Sequence, residues 1–330
     1  MKIVVDAMGG DLAPREIVLG SLDALAADSE VQVVLVGDVE QINPILKEEK
    51  YDESRVELVD AKDVITNDES PTMAIKLKKE SSLVKAFDYL MANEDAEGFV
   101  SAGSTGAVLV GAFMKVGRIK GVSRPALAPI LPTAKGNGVV LCDCGANVDC
   151  KAVNLLHFAI MGRAYAQAML GVEDHKGNEL CHEAFELLKA EEGINFVGNC
   201  EARDILSGDY DLIVADGFNG NIALKSAEGA ATTILGAIKD GVYGGGLRAK
   251  LGGLLLKPVF KDVKRRMDYN AHGGACFLGV NKVVVKSHGA SKRKSICASV
   301  LQAKSLAVHK TPENIRKAIT AQLEKEKPQA

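Results

Sequence analysis

The chain has 330 residues, of which 47% are hydrophobic and 25% charged, and its formal net charge is -3 at pH 7. These proportions are typical of a globular protein that is long enough for one large α/β domain or two small ones. The low net charge excludes a whole-chain basic field for nucleic acid, and the absence of Trp argues against a base-stacking surface. No apolar run approaches the ~18 residues that a membrane span needs.

The seven cysteines are predicted to be reduced thiols. Their number is odd, and the chain runs from Met1 directly into an apolar strand without a leader, so we expect a cytoplasmic protein. Cys142, Cys144 and Cys150 have a C-x-C-x5-C spacing without a second pair of ligands. The sequence therefore predicts no metal site.

The first half of the chain alternates between short apolar runs and amphipathic stretches. In chain order the predicted strands are 2–6, 31–36, 56–59, 98–101, 127–131 and 138–142. The predicted helices between them are 14–26, a helix that follows Gly37 and ends near 46, a region from 70 past 90 interrupted near Ser81, and an apolar helix after 103–106.

The second half continues the alternation. Helices are predicted at 152–170, 179–190, up to 240 and through 247–266, strands at 194–197, 212–215 and 283–286, and two helices at the C-terminus, with fraying from 324. This order predicts an α/β fold with a mostly parallel sheet covered by helices on both faces. Since neither a repeat nor a low-complexity linker divides the chain, residues 1–330 are predicted to form a single α/β domain.

Six loops that follow predicted strands combine glycine with small polar or acidic residues, at 6–11, 101–106, 143–149, 216–221, 272–275 and 287–290. In an open α/β sheet such loops meet at one edge, where ligands bind. Glycine lets backbone N–H groups face an anion without a Cβ in the way. The candidate phosphate or substrate residues are Gly9, Gly10, Asp11, Gly103, Ser104, Thr105, Gly106, Asp143, Gly145, Asn147, Asp216, Gly217, His272, Gly273, Gly274 and His288.

The alternative for any single loop is a βα turn that merely requires glycine. No loop matches the dinucleotide or Walker patterns, and no G-x-S-x-G elbow is present, so a covalent acyl-enzyme has little support. Lys176, in a polar loop before a helix, and Asn221, at a helix start, are further candidates. Taken alone, their positions favour an exposed surface lysine and an N-cap asparagine over catalytic roles.

The stretch 244–267 carries seven basic residues against one acidic residue, interleaved with leucines and valines. Gly252, Gly253 and Pro258 are predicted to break the helix, giving two pieces joined by an apolar tip at 254–256 with basic flanks. Such a segment suits an anionic membrane surface or an acidic carrier protein. The alternative is a dimer or core helix with a solvated basic face.

The loops, taken in order, resemble one family. The matching motifs are Asp6-Ala-Met-Gly-Gly-Asp11, Ser101-Ala-Gly-Ser-Thr-Gly106, Ser123-Arg-Pro125, Asp143-Cys-Gly-Ala-Asn-Val-Asp149, Lys176-Gly-Asn-Glu179, Asp216-Gly-Phe-Asn-Gly-Asn221, Gly273-Gly-Ala275 and His288-Gly289. From Met1 to about Lys310 the chain resembles the bacterial phosphate acyltransferase family, PlsX. Between Leu170 and Glu173 it lacks about a strand's length of the family pattern, which bears on whether Lys176 lies beside Asn221.

The resemblance implies an enzyme that makes acyl phosphate from acyl-acyl-carrier-protein and inorganic phosphate without a cofactor. It implies a fold similar to phosphotransacetylases and to isocitrate/isopropylmalate dehydrogenases, with a protruding helix pair in the C-terminal third. It also implies a cytoplasmic homodimer, peripheral on the inner face of the cell membrane. The implied membrane contacts are Leu254, Leu255, Leu256 and Phe260, and the implied catalytic pair is Lys176, for phosphate or the oxyanion, and Asn221, for the carbonyl oxygen.

Three alternatives stay open. A short-chain phosphotransacetylase that uses acyl-CoA would share the fold and the phosphate loops but would not need the basic apolar stretch. A dehydrogenase of the isopropylmalate type would need metal-binding carboxylates, and Asp143, Asp211 and Asp216 are too scattered to predict them. A non-enzymatic membrane scaffold would leave the six glycine loops unexplained.

Overall fold

A computed structural model describes residues 1–136, 138–166, 179–191, 193–266 and 273–325. The strands are β1 Lys2–Asp6, β2 Gln32–Gly37, β3 Val56–Asp60, β4 Ala96–Ser101, β5 Ala126–Ala128, β6 Ile130–Pro132, β7 Gly138–Cys142, β8 Leu212–Val214, β9 Ala275–Leu278 and β10 Val283–Lys286. The α-helices are α1 Arg15–Ala27, α2 Val39–Glu48, α3 Pro71–Leu77, α4 Ser82–Ala92, α5 Thr105–Gly111, α6 Ala152–Ala166, α7 Glu179–Ala190, α8 Gly217–Gly244, α9 Leu247–Arg266, α10 Arg293–Val308 and α11 Thr311–Lys325.

The larger sheet has seven strands in the order β3-β2-β1-β4-β10-β9-β5. Strands β1 to β4 and β10 all run in the same direction, whereas β9 runs antiparallel to both of its neighbours, β10 and β5. The chain builds outward from β1 to β3 and then returns to place β4 on the other side of β1. The carboxyl ends of β1 and β4 therefore form the switch point at which open α/β sheets bind ligands.

Both faces of the inner strands such as β1, β2 and β10 are buried, which explains why these strands are continuous apolar runs, whereas the edge strand β3 is only partly covered. Ile3 and Val5 belong to one buried cluster, with α1 and α10, whereas Val4 belongs to another, with α4. In the second cluster the ring of Phe99 stacks on that of Phe87 at 4.2 Å between centroids. The predicted α/β fold with helices on both faces is confirmed.

A second sheet has three strands, in the order β6-β7-β8. The chain passes from the large sheet to the small one at Pro129, between β5 and β6. Val140 of β7 and Leu212 of β8 belong to the same buried cluster as the core of β1. This shared core supports the prediction that residues 1–330 form one domain, which stays a prediction.

The strand predicted at 194–197 is wrong. These residues form an irregular segment, in which the ring of Phe196 packs edge-on against Phe185 at 5.1 Å and Ile194 packs against the core. The apolar run is thus explained by side-chain packing without strand pairing. Conversely, β9 was not predicted, because four residues behind a glycine loop give too short an apolar pattern.

Helices α8 and α9 form the predicted protruding pair. From residue 221 to 263 no described side chain is buried, although many are apolar. The predicted break around 254–256 is wrong, since α9 is continuous and the chain turns instead at Gly245 and Gly246. A Cβ on Gly253 would lie 2.3 Å from a methyl group of Val242. Glycine at this position therefore permits close packing of α9 on α8 and does not end the helix.

We predict that Gly20→Ala lowers the free energy of unfolding by about 1–3 kcal/mol, because a Cβ there would lie 2.5 Å from the Arg293 carbonyl oxygen and would force α1 away from α10. The matched control is Gly229→Ala in exposed α8, where a Cβ meets no atom within 4 Å. That change should raise stability by roughly 0.5–1 kcal/mol. Urea unfolding of both variants measures the difference, and equal effects would contradict the packing argument.

Candidate active site

At the switch point of the large sheet, hydrogen bonds connect the end of β1 with the end of β4 and the loop that follows it. Ser101 Oγ donates to Asp6 Oδ2 at 2.8 Å, and Gly103 N donates to Ser101 Oγ at 3.0 Å. Asp6 is buried, and this burial raises the pKa of its carboxyl group. A Cβ on Gly9 would lie 2.5 Å from Asp6 Oδ2, so only glycine lets the loop after β1 pass this close.

The loop after β1 is also joined to the loop after β10. Asp11 N donates to Gly289 O at 2.9 Å, and Gly10 before it has a φ of +112°, which favours glycine. Strand β10 lies beside β4, so the loops after β1, β4 and β10 meet at one edge. The predicted convergence of these glycine loops is therefore what the fold produces.

A cavity of about 390 Å³ opens among these loops. Of the predicted site residues, those that line it are Asp11, Gly103, Thr105, Gly273, Gly274 and His288. Five apolar residues also line it, namely Leu127, Pro129, Ile130, Leu131 and Leu224. The cavity thus combines polar, charged and apolar lining residues, which suits a ligand with an anionic and a hydrocarbon part.

Other predicted residues stand behind the cavity wall. Gly9 and Gly10 pack the loop after β1 against the sheet, as described above. Ser104 is the N-terminal cap residue of α5 but makes no side-chain cap bond, and a Cβ on Gly106 would lie 2.8 Å from Pro71. None of these four residues lines the cavity. The close contacts of the three glycines hold the loops in place.

Lys286 lines the cavity and was missed by the sequence analysis. It is the last residue of β10 and only 7% exposed, and its Nζ donates to the carbonyl oxygen of Ser287. Burial lowers the pKa of Lys286 to about 8, although Asp6 and Asp11 oppose the shift. A charged residue that ends an apolar strand directly before a Ser-His-Gly loop is the signal that could have revealed it.

A second lysine, on α8, also lines the cavity. Lys225 of α8 lines the cavity together with Leu224 and Glu228, which lie on the same helix face. Unlike Lys286, Lys225 is exposed, and its Nζ lies 2.7 Å from Glu228 Oε2. Its charge is therefore already paired and screened by solvent.

Asp143 organises the loop after β7. Its buried carboxylate accepts hydrogen bonds from Leu127 N at 2.8 Å, Ala146 N at 3.2 Å, Asn147 N at 2.7 Å and Asn147 Nδ2 at 2.8 Å. Burial raises the pKa of Asp143, and these hydrogen bonds oppose the shift. Asp143 and Asn147 therefore hold the loop and the cavity-lining strand β5 in fixed positions.

The start of α8 packs directly on this loop. Gly217 N donates to Asn147 O at 2.7 Å, and a Cβ on Gly220 would lie 1.8 Å from Asp143 O. Asp216 caps the helix through Phe218 N and Asn219 N, each at 3.0 Å.

These contacts fix where Asn221 lies. It is exposed, and its side chain sits 3.7 Å from the point a Cβ on Gly145 would occupy, where φ is +111°. The cavity wall of α8 begins one turn later, at Leu224. Asn221 therefore lies beside the loop after β7 and one helical turn before the part of α8 that lines the cavity.

Two predicted site residues, Lys176 and His272, lie outside the described residues. Across the described ranges, no three His, Cys, Asp or Glu side chains are grouped so that they could hold a metal ion. No helix within those ranges combines the length and the apolar character that crossing a bilayer requires.

Comparisons with known proteins point in one direction. The profile of a family described as "Fatty acid synthesis protein" matches residues 1–314. The chain is similar to the phosphate acyltransferase of Clostridium novyi (strain NT), with 48% identity over 315 residues, covering 92% of this chain and 94% of the relative. It is 46% identical over 314 residues to that of Clostridium tetani (strain Massachusetts / E88), covering 92% and 93%.

Among solved structures, the fold is similar to a phosphotransacetylase from Streptococcus pyogenes. The TM-score is 0.59, the sequence identity is 17%, and the match covers 93% of this chain and 94% of that one. At this identity the likeness concerns the fold alone. It agrees with the predicted similarity to phosphotransacetylases.

Proposed function

We propose that this chain, which belongs to the fatty acid synthesis protein family, transfers a long-chain fatty acyl group from acyl-acyl-carrier-protein to inorganic phosphate. Its curated relatives are named phosphate acyltransferase, so the predicted resemblance to that family and the prediction of an enzyme of this type are confirmed. The proposal adds the identity of the acyl donor, the chemistry of the transfer, and the place where it occurs.

The observation that carries the proposal is the mixed lining of the cavity at the carboxyl ends of β1, β4 and β10. Glycine residues and a buried lysine, which suit an anion, line it together with leucine and isoleucine residues. An acyl group next to phosphate has this distribution of charge and hydrocarbon. Asn221, which lies next to Gly145 and one helical turn before Leu224, is proposed to act beside this cavity.

In the proposed reaction an oxygen of bound hydrogen phosphate attacks the thioester carbonyl carbon directly. The new C–O bond forms first and gives a tetrahedral oxyanion, which collapses as the C–S bond breaks. The proton of the phosphate ends on the departing thiolate, giving acyl phosphate and a free carrier thiol. No acyl-enzyme is needed, because the site positions the two reactants. Asn221 is proposed to donate to the carbonyl oxygen as it becomes an oxyanion, and Lys176 to neutralise the phosphate or that oxyanion.

The exposed face of α8 and α9 supports two further proposals. Its apolar side chains include Leu254, Leu255 and Leu256, with Phe260 partly covered, and basic residues flank them. We infer a homodimer and a peripheral contact with an anionic membrane surface, on the cytoplasmic side of the cell membrane. Because α9 is continuous, the membrane contact is placed on its side face and not on a tip between two helices.

The direct test is to mix the protein with long-chain acyl-acyl-carrier-protein and inorganic phosphate. We expect phosphate-dependent release of the carrier thiol together with acyl phosphate, which can be trapped by hydroxylamine. The same assay with long-chain and short-chain acyl-CoA decides between this reading and the phosphotransacetylase alternative. Thiol release that does not depend on phosphate would rule out the proposed reaction.

Asn221→Ala should lower kcat by about 10²–10³-fold, because the carbonyl oxygen loses a donor at the moment when it becomes an oxyanion. The control is Asn219→Ala, two residues earlier, where the side-chain amide donates to Asp216 and has no proposed part in the reaction. Single-turnover kinetics with both variants measures the chemical step. A kcat for Asn221→Ala equal to that of Asn219→Ala would remove Asn221 from the mechanism.

Leu255→Glu should weaken binding to anionic liposomes while leaving activity in solution largely intact, since it places a charge in the proposed apolar contact. Leu255 is 74% exposed. The matched control is Leu77→Glu in α3, because Leu77 is 71% exposed and lies outside the helix pair. Liposome flotation compares the two variants, and unchanged flotation of Leu255→Glu would show that this face does not contact the membrane.

A further inference from the structure

We propose that Lys286 binds the attacking phosphate directly, as the cation of the phosphate subsite in the described part of the cavity. This inference rests on the proposed function and deepens it, since it assigns a phosphate-binding role to a residue that no sequence motif singled out. Three observations carry it: the burial of the ammonium group, its incomplete set of partners, and its position against glycine backbone.

The burial of Lys286 has no structural explanation in its own strand. The three residues before it, Val283 to Val285, are buried and apolar, and an apolar side chain would continue their packing. An ammonium group is costly to bury unless it is paired and hydrogen-bonded. A lysine at 93% burial is therefore expected to have a charged partner.

The described residues do not supply that partner. Lys286 Nζ donates to the Ser287 carbonyl oxygen, but among the described residues no ion pair joins it to a carboxylate. The charge of Asp6 acts on Lys286 without a hydrogen bond, since Asp6 Oδ2 accepts from Ser101 Oγ and the buried Oδ1 has no hydrogen-bond partner in the described part of the chain. Lys286 is therefore not part of an ion pair with another described residue, and the remaining N–H groups of its ammonium are available to a ligand.

The position of Lys286 indicates which ligand it takes. It lines the cavity with the backbone of Gly103, Gly274 and Gly289 and with the side chains of Thr105 and Ser291. A Cβ on Gly274 would lie 2.6 Å from the Lys286 carbonyl oxygen, so this glycine loop is held directly against the lysine. Gly103 N and Gly274 N already donate to Ser101 Oγ and Gln302 Oε1, so the groups left for a ligand are the Lys286 ammonium and the hydroxyl-bearing residues Thr105 and Ser291. A buried cation beside hydroxyl groups matches a small, multiply charged oxyanion such as phosphate.

The charges around Lys286 should make phosphate binding depend on pH. The titratable groups that face it are Asp6, Asp11, Lys225, Glu228 and His288. Burial lowers the pKa of Lys286 to about 8, and bound phosphate would supply the missing counter-charge and raise it again. The folded apo protein therefore holds the proton below pH 8 and loses it above, so phosphate binding above pH 8 must take up a proton.

The test is calorimetry of inorganic phosphate binding to the full chain, one pH unit above that pKa, in two buffers that differ in ionisation enthalpy. Phosphate is then almost entirely dianionic and contributes few protons of its own. We expect proton uptake by the wild type and at least about a tenfold higher Kd for Lys286→Met, the effect of a lost charge-assisted hydrogen bond. In steady-state kinetics the KM for phosphate should rise while the KM for the acyl donor changes little.

Lys282→Met is the matched control, because it makes the same substitution one residue before the same strand. Lys282 Nζ donates to the carbonyl oxygens of Leu90, Asn93 and Ala96, so its loss should lower stability and leave phosphate affinity unchanged. A Kd for Lys286→Met within about twofold of the wild-type value would overturn the proposal. So would an equal loss of affinity in Lys282→Met, because the effect would then be structural.

If Lys286→Met fails to fold, the wild type still decides the question. Phosphate affinity should fall about tenfold per pH unit above the pKa of Lys286, and a flat profile there would overturn the proposal. Failure of the proposed function gives a different pattern, namely no phosphate-dependent thiol release by the wild type. Full wild-type activity with unaltered phosphate binding in Lys286→Met would reject the role of Lys286 alone.

Discussion

The buried carboxylate of Asp143 holds together the two halves of the candidate site. It accepts hydrogen bonds from Leu127 of the cavity wall and from the loop residues Ala146 and Asn147. The Asn147 carbonyl oxygen in turn receives the N–H of Gly217, where α8 begins. Charge-assisted hydrogen bonds of ~1.5–3 kcal/mol each offset the cost of burying this anion. Because one group fixes both the wall and the helix start, the positions of the cavity and of Asn221 depend on it.

Asp143 and Lys286 show two different outcomes of burying a charge. Asp143 has four N–H donors within the chain, so its interactions are complete and its role is explained by the fold. Lys286 is nearly as buried, yet among the described residues its Nζ donates only to the carbonyl oxygen of the next residue. A buried charge whose partners are incomplete is the type of group that active sites retain, since a ligand completes them. Asp143 therefore has a structural role in the site, whereas Lys286 is proposed to bind the ligand.

The sequence predicted those features whose signals are local. Buried parallel strands are apolar runs, and the loops beyond them need glycine, so most strands and the positions of the glycine loops that follow them were predicted correctly. Lys286 was missed because its meaning depends on β10 lying beside β4, two segments that are far apart in the chain. The break predicted in α9 failed for a similar reason. Gly253 looked like a helix terminator, but it makes room for Val242 of the neighbouring helix. In both cases the deciding contact is tertiary, and a local pattern does not contain it.

Helix α8 is long enough to connect the proposed reaction site with the proposed membrane contact. Its first turn is buried against the loop of Asp143, while its far end carries exposed Ile234, Leu235 and Ile238. A helix of 28 residues spans about 42 Å. The proposed product combines a phosphate group with a long hydrocarbon chain, so it belongs partly in water and partly in lipid. A single rigid helix that begins at the reaction site and ends in an apolar surface would hold that site at a fixed distance from the bilayer. The proposed membrane contact therefore needs no flexible linker, because the same backbone that places Asn221 also places the apolar face.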